Sequence, residues 1–105
     1  FINNSSPNPL IGNNNPSIAL QNQLEIQPNV TSQETTVKYM LANTGFTQLL
    51  LFDHTGRLVR EMVDEMKFEG AHSMKLRTNE LAEGMYFVRL VALDDIVVKR
   101  LIVVK

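Results

Sequence analysis

Asp53, His54 and Thr55 stand side by side in the stretch LFDHTGRLV, an acid, an imidazole and a hydroxyl in consecutive positions. These are the groups from which general-base, nucleophilic or metal-assisted hydrolysis is built. Adjacency in sequence is not enough, because a base needs an orienting partner and a nucleophile within hydrogen-bond reach. The other histidine, His72, is the only candidate for a second imidazole. Two histidines and scattered carboxylates fall short of the ligand set of a closed zinc site. Asp94-Asp95 could contribute to a calcium site, but no ladder of oxygen ligands at loop spacing accompanies it.

A turn accounts for the same residues with fewer demands. Aspartate suits the first position of a type I turn because its carboxylate accepts bonds from nearby backbone N–H groups. Glycine at the fourth position supplies the positive φ of a hairpin bulge. The reading adopted is therefore a turn, with Asp53 and Gly56 structural, Gly56 at positive φ, and His54 and Thr55 as exposed tips without a metal. His72 is read as a strand-end histidine making one hydrogen bond, and Asp94-Asp95 as a solvated turn. No catalytic residue, metal ligand or cofactor is assigned.

Leu81-Ala82-Glu83-Gly84-Met85-Tyr86 has the spacing of a tyrosine corner, in which the phenol bonds back to upstream backbone. A buried tyrosine with no role beyond packing is the alternative. A sugar-binding platform would want exposed aromatics. Tryptophan is absent and both tyrosines sit in strand patterns, which leaves Phe46, Phe52, Phe68 and Phe87.

The elements that position these residues read as strands. Leu24 and Ile26 alternate with Glu25 and Gln27 before Pro28-Asn29 breaks the run. Thr35, Val37, Tyr39 and Leu41 alternate with Thr36, Lys38 and Met40, the period of 2 of a half-buried strand. Residues 46–52, 72–77, 85–92 and 96–104 supply further strands. The expected core is Val37, Tyr39, Leu49, Leu51, Met74, Leu76, Tyr86, Val88 and Leu90. Residues 57–66 resist, because Leu58, Val59, Met62, Val63 and Met66 form a good helical stripe. Pattern alone slightly favours helix there. Counting it as a strand gives seven short strands in an antiparallel sandwich.

A chain of 105 residues is room for one domain with a modest core. A formal charge of −1 offers no basic excess for a phosphate backbone, which argues against nucleic acid. No apolar run approaches the roughly 18 residues of a membrane helix, so no membrane insertion is expected. The lack of cysteine excludes disulfides and thiolate metal sites. The first 20 residues carry no charge, and all 4 prolines lie by position 28. Residues 1–23 therefore read as an Asn/Pro-rich linker or the end of a preceding region. Asn29-Val30-Thr31 also fits a glycosylation sequon. Phe1 in place of methionine suggests a piece of a longer precursor, and Lys105 after an apolar strand looks like a natural stop. Residue chemistry reaches a small all-β domain that is not itself an enzyme.

The segments LEIQPNVTSQETTVKYML, LLLFDHTGRLVREMV, EGAHSMKL, LAEGMYFVRL and VVKRLIVVK follow one another in an order that resembles the C-terminal sorting domains of type IX secretion cargo proteins from Bacteroidota. The resemblance covers roughly residues 24–105. Pro28-Asn29-Val30 stands where that family usually has Pro-Asn-Pro. The resemblance implies a seven-stranded antiparallel immunoglobulin-like β-sandwich, with residues 57–63 extended. It places Gly56 and Arg57 in the hairpin, Gly70 in the turn before the fifth strand, and Gly84 and Tyr86 at the corner. It also implies an export label recognised through its terminal strand, Lys99, Arg100, Leu101, Ile102, Val103, Val104 and Lys105. The implied partners are an N-terminally attached cargo, an outer-membrane translocon with its shuttle proteins, and a cell-surface sortase. The implied route runs through the periplasm to the cell surface or beyond. The competing classes are an immunoglobulin-like accessory module and a carbohydrate-binding module of a surface protein.

Overall fold

The computed structural model describes residues 21–93 and 95–105. The linker expected over 1–23 therefore lies outside the described residues except for its last three, as does Asp94 of the expected Asp94-Asp95 turn. The described chain is all β: β1 (Gln23–Gln27), β2 (Val30–Thr31), β3 (Glu34–Leu41), β4 (Gly45–Asp53), β5 (Leu58–Lys67), β6 (Gly70–Arg77), β7 (Gly84–Ala92) and β8 (Asp95–Val103). A three-stranded sheet in the order β1-β3-β6 faces a five-stranded sheet in the order β2-β8-β7-β4-β5.

Alternation builds the core as expected. Leu24 and Ile26 of β1, Val37, Tyr39 and Leu41 of β3, and Leu76 of β6 are buried from one sheet. Leu49 and Leu51 of β4, Tyr86, Val88 and Leu90 of β7, and Leu101 and Val103 of β8 meet them from the other. Each such aliphatic side chain contributes about 1.5–3 kcal/mol on burial. Of the residues expected inside, Met74 alone is only partly buried, packed against the cluster from the β6 edge.

Two details depart from the expectation. There are eight strands among the described residues rather than seven, because β2 is a separate two-residue element. Pro28-Asn29 ends β1, and the chain then crosses to the other sheet. There Val30 and Thr31 pair with Ile102 and Val103, and that pairing is parallel rather than antiparallel.

Residues 57–66, whose pattern leaned towards helix but whose first part was expected to be extended from the resemblance, form a strand from Leu58 onward. The segment is a ten-residue strand paired antiparallel to β4. Its ladder slips twice: Leu49 pairs with Val63 but Leu50 with Glu61, and Leu51 pairs with Arg60 but Phe52 with Leu58. Met62 and Val59 are the extra residues of the two bulges. Each bulge reverses the in–out phase, so the neighbours Met62 and Val63 both pack against the core. Two phase reversals in ten residues imitate a helical stripe.

Candidate functional site

The Asp53 loop is a closed turn. Gly56 N–H donates to Asp53 O at 3.0 Å, and Asp53 N–H donates to Arg57 O at 2.9 Å. Asp53 Oδ1 accepts from the Thr55 hydroxyl at 2.6 Å, Thr55 N–H at 2.9 Å and Arg57 N–H at 3.1 Å. The Arg57 guanidinium lies 3.3 Å from Oδ2. The Thr55 hydroxyl first, and then the backbone donors, hold the Asp53 carboxyl down at about 2. A carboxylate that acidic is a poor general base near neutral pH. Thr55 is thus more than a tip, because its hydroxyl is committed to Asp53 and is not a free nucleophile. Gly56 takes φ 89°, as expected, and His54 is exposed.

His72 sits at the opposite end of the sandwich, since β5 runs the full length between it and the Asp53 turn. Its Nε2 is 2.7 Å from Phe68 O, and its ring stacks on Tyr39 with centroids 5.1 Å apart. It is a strand-end histidine with a packing role and one hydrogen bond. Among the described residues, no three histidine, aspartate or glutamate side chains come together.

The corner forms as its spacing predicts. Tyr86 O–H donates to Ala82 O at 2.6 Å, and the ring is buried beneath the loop that leads into β7. Gly84 opens β7, and Gly70, at φ 115°, opens β6.

The terminal strand is sorted by its alternation. Leu101 and Val103 are wholly buried, Ile102 is half-buried, and Lys99, Arg100, Val104 and Lys105 are exposed. The register places Lys99 opposite the core residue Val88, on the inner side of β8. It emerges beside β1, where it lines an open groove of about 660 Å³ with Glu25, Lys38 and His72. Arg100 pairs with Phe87 and points to the outer face. On its other flank β8 is paired only at its end: Ile102 N–H donates to Asn29 O and Val104 N–H to Thr31 O, both at 2.9 Å. Upstream of Ile102 that backbone edge has no strand partner among the described residues. Lys105 Nζ donates to Thr78 O at 3.3 Å and Asn79 O at 3.0 Å, and Lys105 N–H donates to Glu83 Oε1 at 3.3 Å. Its ammonium fastens the loop ahead of the corner. No signal in the sequence marked that tie, which joins positions 26 and 27 residues apart.

The geometry therefore offers surfaces and an edge, and assembles no reacting groups among the described residues. No curated protein matches this chain. The family described as the secretion system C-terminal sorting domain matches residues 7–104, nearly the whole length. That is not an enzyme family, and its members are attached to cargo proteins exported by the type IX machinery to the cell surface or the extracellular space. With a closed all-β sandwich, a corner tyrosine and a terminal strand locked into the core, the chain belongs to the family of type IX secretion C-terminal sorting domains.

Proposed function

We propose that this domain is the address label of a precursor whose cargo lies N-terminal to it. The folded label directs the precursor from the periplasm through the outer-membrane translocon, with shuttle proteins, and a cell-surface sortase then removes it. The family match across residues 7–104 carries this reading. The committed Asp53 carboxylate and the separated histidines support it, because the domain then acts as a ligand and a substrate.

Within the label, β8 is the recognition strand. Leu101 and Val103 anchor it, Ile102, Val104 and Lys105 set its end, and Lys99 and Arg100 present the charge. The backbone edge ahead of Ile102 suits addition of a partner strand, where main-chain hydrogen bonds give affinity and side chains give selectivity. Residues 1–23 are the Asn/Pro-rich linker to the cargo or the end of the cargo region itself. Fusing the full 105-residue chain behind a periplasmic reporter tests the label. Surface reporter that has lost the domain where the sortase is present, and keeps it where the sortase is deleted, is the expected outcome. A reporter that stays full-length in both strains contradicts it.

A further inference from the structure

The outer faces of the two sheets differ in chemistry. The three-stranded sheet presents Glu25, Lys38, Ser73 and Lys75 to solvent, the polar exterior usual for an antiparallel sheet. The five-stranded sheet does not. Its registers place Arg100, Phe87, Phe52 and Leu58 in one row across β8, β7, β4 and β5. The next row is Val98, Arg89, Leu50 and Glu61, and the next Ile96, Val91, Gln48 and Asp64. Ile102 and Met85 extend the face at one end, Phe46 and Met66 at the other. Phe46, Leu58, Met66, Ile96 and Val98 are each about half exposed or more. A contiguous apolar face of this kind marks an interaction surface.

Its charges indicate what covers it. Arg89 lies with Cζ 4.3 Å from the centroid of the Phe52 ring, over its face. Arg100 is its diagonal neighbour on the adjoining strand, about 7 Å away. Among the described residues neither arginine forms an ion pair, whereas Asp64 on the far flank accepts from Gln48. Beside Arg89, a hollow of about 180 Å³ opens between Phe52, Phe87 and Val98 and is bounded on the other side by Asp53, His54 and Gly56 of the turn, with room for one large side chain. Two adjacent guanidiniums on an apolar field call for carboxylates with apolar surroundings. In the face-to-face pairings whose two-fold axis runs along or across the strands through the centre of the face, Arg89 meets Leu50 of a second copy or its own equivalent, and finds no carboxylate.

We infer that the outer face of the five-stranded sheet is the docking surface for a protein of the export machinery, one that presents an apolar patch bearing carboxylates to Arg89 and Arg100. This rests on the sorting reading and adds to the β8 edge a second, broader contact.

The test uses the reporter fused to the full chain, with Val98→Glu, Arg89→Glu, and Thr36→Glu on the polar face, away from the Lys99 groove, as control. Each purified fusion is first checked for an unchanged thermal midpoint. Surface reporter should fall at least tenfold for both outer-face variants and stay within twofold for Thr36→Glu. A photo-crosslinking residue at position 98 of the otherwise unaltered chain should capture a translocon-side protein, and one at position 36 should not. That arm holds even if a charge variant fails to fold. If the unaltered fusion is exported while folded outer-face variants are exported equally well, the docking face is wrong and the sorting reading stands. If the unaltered fusion is not exported, the sorting reading fails and this inference fails with it. A purified chain that sediments as a dimer and is dissociated by Val98→Glu overturns the proposed partner in favour of a second copy.

Discussion

Single residues in this domain hold turns and corners, and their replacements should separate accordingly. Gly56 sits at φ 89° with open space around its Cα, so a side chain there meets backbone strain rather than a clash. Gly56→Val should cost about 1–3 kcal/mol in denaturant unfolding, and His54→Ala should stay within about 0.5 kcal/mol. Asp53 has a folded-state pKa depressed from 3.8 to about 2 by Thr55 and the turn amides. Its stabilising effect is therefore fully present above the unfolded value and is lost as pH falls through the folded one. The stability gap between the natural chain and Asp53→Asn should be constant above about pH 5 and shrink towards pH 2. Two buried hydroxyls should behave oppositely. Tyr86→Phe removes the bond to Ala82 O and should cost about 1–3 kcal/mol. Thr78 is fully buried and its Oγ1 has no hydrogen-bond partner, so Thr78→Val should be neutral or stabilising in the same assay.

At the scale of elements, Leu101 and Val103 anchor β8, and the two charges of the proposed recognition feature, Lys99 and Arg100, lie upstream of them. Lys99→Gln with Arg100→Gln changes two exposed positions and should leave the fold and its unfolding midpoint intact. Deleting residues 101–105 removes two wholly buried aliphatic side chains, the β2 pairing and the Lys105 tie. At about 2–5 kcal/mol for each large buried side chain, against about 5–15 kcal/mol of total stability, the sandwich should be lost. Circular dichroism melts of both forms check this. Strands with a clean period of 2, such as β1, β3 and β7, were legible in the sequence because one face of each is buried. β5 was not, because its two bulges displace the phase and only the pairing with β4 reveals them. β2 escaped because two residues cannot show a period. In 101–104, where every residue is apolar, alternation has no contrast. The β7 register is what sends Leu101 and Val103 inward.

For the whole molecule, the Asp53 turn was legible because Asp53 and Gly56 carry turn chemistry that the backbone bonds and φ of 89° match. The apolar outer face was not legible, because it becomes contiguous only when residues from four strands are brought into rows. The sorting role rests on the family match over residues 7–104. The most direct measurement is the amount of reporter at the cell surface when the 105-residue chain is fused to it, in a strain with the type IX translocon and in one without. The account predicts surface reporter only in the strain with the translocon, and periplasmic accumulation of full-length fusion in the other. Equal surface delivery in both strains would contradict it.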